Sequence, residues 1–174
     1  PLSHSVPIFA QKYKDMEQNI RIRLLESIGK IYEESKDCKL EPAFFEKVEK
    51  ELTELSNYFG ISLTQSLLVA MVFSLNYKGD TVDFKDLTEY FDCNPMKLLE
   101  YSSDFENLYS KGIFKKEKSR HRIKLALSND QFTINEKVTE AILNNMPLPK
   151  LGDEEVGDVF EFLENIYKIG ERRD

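Results

Sequence analysis

Seven cations crowd into residues 111–124: Lys111, Lys115, Lys116, Lys118, Arg120, Arg122 and Lys124, opposed there only by Glu117. The segment carries +6 in a chain of net charge −7, so the remainder carries −13. Lysine and arginine at this density neutralise phosphates and release counterions, and the chemistry they offer is salt-sensitive binding of a polyanion. The candidate contacts to nucleic acid or to a partner are Lys115, Lys116, Lys118, Arg120, His121, Arg122 and Lys124. A second reading of the same charges is a solvated hairpin whose lysines discourage edge-to-edge strand pairing, or whose charges dock on the acidic remainder or a neighbouring domain.

Catalytic chemistry is harder to find. Gly152-Asp-Glu-Glu-Val-Gly157 has the glycine spacing of a phosphate loop, but Asp158-Val159 stands where Lys and then Ser or Thr would grip phosphate and magnesium. Glu154 and Glu155 would repel the ligand. His4 lies in a terminal segment, and His121 sits among cations that oppose its protonation. The 31 acids recur mainly on polar helix faces, where solvation places them anyway. Cys38 and Cys93 have no Cys-x-x-Cys or Cys/His spacing and read as two reduced, partly buried thiols beside turns. No catalytic, cofactor-binding or metal-ligating residue is expected in this chain.

Hydrophobic spacing defines the elements that must carry the basic segment. From Ala10 to about Asp37, the residues Tyr13, Met16, Ile20, Leu24, Ile28 and Ile31 trace one helix face, and Phe45, Val48, Leu52, Leu55 and Phe59 repeat the spacing from Pro42 until Gly60. The two helices should pair antiparallel and bury their stripes either on the later part of the chain or on a second copy. Ser62-Leu-Thr-Gln65 is a capping box opening a helix apolar almost all round, the expected central core helix. Thr81-Val82 fits a short strand. Asp83 then caps a helix with Phe84, Leu87, Tyr90 and Phe91, and Asn94-Pro95 starts a longer one burying Leu98, Tyr101, Phe105 and Leu108 before Gly112. Strands at 113–118 and 122–127 come next, with 131–134 as a third and Asn135 capping a helix to about Asn145. After Asp153, Val156 to Ile169 describe a last amphipathic helix.

This order predicts a mainly α protein: an N-terminal helical pair (1–60), a winged-helix domain, that is a helix-turn-helix with a small β-wing (61–150), and a linker helix (151–174). Eight acids against Lys85 and Lys97 give the stretch from Asp80 to Glu106 a charge of −6. Its second helix, with Glu100, Asp104 and Glu106 among the positions expected to be exposed, is unfavourable for reading bases in a major groove. Wing-led contact fits better. At 174 residues, with 41% apolar and 32% charged positions, a sizeable core is expected. No apolar run reaches a membrane span and no secretory leader is visible at the start, so the expected location is cytoplasmic, without membrane contact. The chain starts at Pro1 and stops at Asp174 inside a helix-compatible run, which suggests a fragment of something longer.

Several of these stretches also resemble a known family. Leu63-Thr-Gln-Ser leading the apolar helix, Val82-Asp-Phe-Lys-Asp-Leu, Phe91-Asp-Cys-Asn-Pro before Leu98, Leu108 to Ile113, and Phe132-Thr-Ile before the helix at 137–143 resemble the N-terminal region of AAA+ family ATPases of Bacteroidetes. The tail from Glu154, with Phe160, Leu163 and Glu171-Arg172-Arg173-Asp174, resembles the stretch before the ATPase module, so the likeness covers roughly residues 60–174. It implies a full-length machine using ATP and Mg, with Walker motifs beyond Asp174, of which this chain is a non-catalytic recognition or regulatory region. The partner is then nucleic acid at the wing, or a protein partner or substrate of the motor. A stand-alone winged-helix DNA-binding regulator, a homodimer through its N-terminal helices, is the alternative reading.

Overall fold

Residues 62–76 dictate the centre of the molecule. In the computed structural model, which describes residues 7–77, 79–117, 131–144 and 146–151, Ser62 caps the central helix. Its side chain accepts the Gln65 N–H at 3.1 Å, and the Gln65 side chain accepts the Ser62 N–H at 3.2 Å. Every residue from Gln65 to Val72 in that helix is buried, as expected for a helix apolar on all sides. Its neighbours are laid around it in chain order: α1 (Ile8–Ser35), α2 (Pro42–Lys47) and α3 (Glu49–Phe59) before it, then α4 itself (Leu63–Asn76). After it come β1 (Val82–Asp83), α5 (Phe84–Phe91), α6 (Pro95–Leu99), α7 (Ser102–Ser110), β2 (Phe114–Glu117), β3 (Gln131–Ile134) and α8 (Glu136–Leu143). The protein is mainly helical, with one small antiparallel sheet.

The N-terminal helices pair antiparallel, as their stripes require. Arg23 meets Glu54, Lys30 meets Glu51 and Glu34 meets Lys47, each at 2.7 Å, so one partner number rises as the other falls. Of the two destinations open to the stripes, the described residues use the chain itself. Leu24, Ile28 and Ile31 of α1 and Leu52, Leu55 and Phe59 of α3 join one core with Leu67 to Val72 of α4. Gly60, at φ 67°, ends α3 in the left-handed conformation a glycine adopts without strain, its N–H bonded to Ser56 O at 2.8 Å.

Two expected helices are each divided. The helix from Pro42 breaks at Val48 (φ −112°, ψ 15°), which is fully buried and still donates to Phe44 O at 3.2 Å. A β-branched residue leaves helical geometry at low cost. The helix from Pro95 divides at Glu100 and Tyr101, whose N–H groups bond three residues back, to Lys97 O and Leu98 O. This is a tightened turn that keeps Leu98, Phe105 and Leu108 buried on one side.

The sheet has the order β1-β3-β2, with β3 central. Val82 faces Phe132 in one ladder, and Phe114 faces Ile134 in the other, through Lys115 opposite Thr133 and Lys116 opposite Phe132 to Glu117 opposite Gln131. Among the described residues β2 pairs with 131–134, read from sequence as a third strand. The expected strand at 122–127 and the helix after Asp153 lie outside the described residues. Phe105, Phe114 and Phe132 form an aromatic cluster with centroids 4.9 to 6.4 Å apart, fixing α7 to the sheet. Asn135 closes the unit: its side chain accepts the Lys137 N–H at 3.1 Å and donates to Gly112 O at 2.8 Å.

Among the described residues no single helix is long and apolar enough to cross a membrane. Only α3 and α4 together reach that composition, across a 90° bend, and their apolar residues are spent in the core.

Candidate nucleic-acid interface

β2 and β3 deliver the basic segment. The ladder closes with Glu117 opposite Gln131, so residues 118–130 connect two neighbouring strands at the end where β1 also terminates, Asp83 being opposite Gln131 on the other side. Lys115 is exposed, one position on from the buried Phe114, and therefore on the solvent face of the sheet. Lys116 stands in register with Phe132 on the same edge strand. Lys118, Arg120, His121, Arg122 and Lys124 lie outside the described residues. Of the predicted contact set, the structure therefore places two backbone positions on one edge strand, leading into a connection that holds the other five.

Lys111 belongs to the same cationic run in sequence but is occupied elsewhere. It sits just past α7, and its Nζ donates to Gly60 O at 3.4 Å, where α3 ends. A lysine beside the unsatisfied carbonyls of a helix C-terminus is favourably placed.

The helical side is acidic, with one correction. Asp86, Glu89, Asp92, Glu100 and Glu106 are exposed, as their positions on polar faces predict. Asp104, expected at the surface, is half-buried and accepts hydrogen bonds from Thr64 Oγ1 and Gln65 Nε2, both at 3.2 Å. The residues that cap α4 thus also hold the start of α7 against it. Only the capping box is visible locally in sequence; its partner forty positions away is not. Burial raises the Asp86 carboxyl above the ordinary range, and nearby Asp83 and Glu89 add to the rise. The carboxylates grouped at Asp83, Asp86 and Glu89 oppose close approach of phosphates there.

A cleft of about 440 Å³ opens between the end of α1 and the β1–α5 corner. Among the described residues Asp37, Asp80, Asp86 and Glu89 line it, with Lys36 as the one cation. It holds no nucleophile paired with a base, and its charge is wrong for a nucleotide. Tyr90 on its wall donates through its hydroxyl to Tyr32 O at 2.9 Å and stacks on the Tyr32 ring at 4.9 Å. Burial, then the Tyr32 contact, raise that phenol far above its usual value. Among the described residues no group of three or more His, Cys, Asp or Glu could hold a metal ion.

Comparison with protein-family models, with curated proteins and with solved structures finds no match for this chain.

Proposed function

We propose that the chain is a winged-helix recognition or regulatory region of a larger AAA+ ATPase, and that it contacts a polyanion, nucleic acid first, through the connection between β2 and β3. One observation carries the reading. The order α4, β1, α5, α6–α7, β2, β3 with sheet order β1-β3-β2 makes the most cationic stretch of the chain the link between adjacent strands. The acidic face of α5 to α7 favours wing-led contact with the backbone over base reading by a helix. Burial of Leu24, Ile28, Ile31, Leu52, Leu55 and Phe59 within the chain takes that part of the two stripes away from the seam of a dimeric regulator.

The test is a duplex-DNA titration over a salt series, with wild type and with Lys115, Lys116 and Arg122 each changed to Glu in one variant. Binding through about four to five phosphate contacts predicts a slope of log K against log salt near −4, indifferent to sequence, and loss of binding in the variant. Equal binding by the variant would remove the wing from the account. Binding of an acidic protein but not of DNA would move the reading to a protein partner. For the parent machine, the reading frame should continue past Asp174 into a Gly-x-x-x-x-Gly-Lys-Ser/Thr stretch.

A further inference from the structure

The two cysteines are 55 positions apart in sequence, and the fold brings their turns together. Residues 37–39, after α1, run beside the end of α5: Asp37 N–H donates to Tyr90 O at 3.0 Å and Lys39 N–H to Phe91 O at 2.8 Å. Cys38 lies between those two bonds. Past Phe91, the chain turns through Asp92 and folds Cys93 back, its N–H bonded to Thr88 O at 3.2 Å. Both thiols are half-buried and pack against the same core.

The backbone around them is unusual. Among the described residues, four that are not glycine have left-handed φ: Asp37 at 57°, Lys39 at 55°, Leu40 at 55° and Asp92 at 51°. All four stand within two positions of Cys38 or Cys93. Such conformations are costly for residues with a side chain and persist where surrounding structure over-determines them. The two turns are held by the shared backbone bonds, and the thiols with them.

We propose that Cys38 and Cys93 form a redox-sensitive dithiol, which a small-molecule disulfide such as oxidised glutathione converts to an intramolecular disulfide joining the turn after α1 to the turn between α5 and α6. The chemistry balances in two exchanges. The Cys93 thiolate attacks one sulfur of glutathione disulfide, breaking its S–S bond and releasing one glutathione thiolate. The Cys38 thiolate then attacks the Cys93 sulfur of the mixed disulfide and releases the second. Two protein thiols lose two electrons, and two glutathione thiols gain them together with the two protons.

The environment assigns the order and the character of the switch. Burial pushes both thiols up; the Leu40 N–H, 3.4 Å from Cys38 Sγ, pulls Cys38 partly back, backbone hydrogen bonding and then the Lys97 charge do the same for Cys93, and Cys93 itself raises Cys38. An interaction between two acids falls on the one that ionises second, which makes Cys93 the first nucleophile. The paired backbone bonds from Asp37 and Lys39 to Tyr90 and Phe91 keep the two turns side by side. Little thiolate at neutral pH makes attack slow. Both thiols stay raised on balance, so little thiolate stabilisation favours the reduced form and the bridge, once closed, should hold.

The experiment is incubation of the full chain with oxidised glutathione, read by thiol titration and by intact mass and peptide mapping without reduction. The expected result is loss of both free thiols with no retained glutathione, no change of oligomeric state, and one peptide pair joined through Cys38 and Cys93. Cys38→Ser should stall at a stable glutathione adduct on Cys93. Reduced wild-type chain should bind one equivalent of phenylarsine oxide, a reagent for neighbouring thiols, and each single Cys→Ser variant should bind none tightly. Two unreacted thiols, a persistent double adduct, disulfide-linked dimers, or no arsenical binding by wild type would each overturn the proposal. The arsenical readout requires no variant to fold.

Discussion

Truncating Phe132 is the sharpest test of how the sheet is held. Phe132 is fully buried on the central strand, opposite Val82 on one side and Lys116 on the other. Its ring lies 4.9 Å from Phe105 of α7 and 6.0 Å from Phe114 of β2. Phe132→Ala removes the ring's transfer free energy and leaves a cavity walled by the two other rings, which strand and helix backbones keep from collapsing. Buried Phe→Ala changes cost about 3–5 kcal/mol, a large share of the roughly 5–15 kcal/mol that holds a domain together. With a urea dependence of about 2 kcal/mol per molar, a loss of about 4 kcal/mol lowers the unfolding midpoint by about 2 M. The assay is urea denaturation followed by far-UV circular dichroism. Phe132→Leu, which keeps most of the volume, should cost about 1–2 kcal/mol. In a cycle with Phe105→Leu, coupling of about 0.5–1.5 kcal/mol is expected for the ring pair. A loss below about 1 kcal/mol for Phe132→Ala would refute the packing of α7 on the sheet, and with it the support beneath the β2–β3 connection.

Two further perturbations probe the caps and the α1–α3 seam. Ser62→Ala should cost about 1 kcal/mol by thermal unfolding, because Ser62 closes the capping box on Gln65, whose side chain also bonds Asp104; no shift would separate the cap from the α4–α7 tie. Burial alone would raise the Glu51 carboxyl, but the hydrogen bond and charge of Lys30 bring it below the ordinary value. A depressed folded-state pKa gives stability that is present above the unfolded value, near about pH 4.3, and is lost as pH falls through the folded one. Lys30→Met should therefore cost about 1–2 kcal/mol at about pH 7, between exposed and buried pairs, and the gap to wild type should close below about pH 4. A gap independent of pH would refute the pairing.

Legibility in the sequence tracks the range of the interactions. Ser62, Asp83, Asn94 and Asn135 each cap the helix that their type and position predict, because a cap is a contact between residues two or three apart. Gly60 and Gly112, at φ 67° and 76°, stop helices for an equally local reason. The breaks at Val48 and at Glu100–Tyr101 leave no local mark: neither site has a glycine or proline, and the helical spacing of buried residues runs through both. Strand pairing is less legible still. Among the described residues β2 pairs with Gln131–Ile134, a long-range contact supported by the mutual burial of Phe114, Phe132 and Phe105, while the expected strand at 122–127 lies outside them.

The candidate site divides along the same line. Its cations are countable from sequence, and so is the acidity of 80–106, but which charges are free to meet a ligand depends on contacts made at a distance. Lys111 is drawn to the carbonyl of Gly60, and Asp104 is drawn inward by Thr64 and Gln65. Asp104 is thereby half-buried, while Lys111 stays exposed with its amine tied to that carbonyl. Exposed carboxylates remain on α5 to α7, and Lys115 stands on the sheet edge. Screening over about 8 Å at physiological salt confines each field to its own side. A polyanion approaching β2 would therefore meet the exposed Lys115, and one approaching along α7 would meet the exposed Glu106.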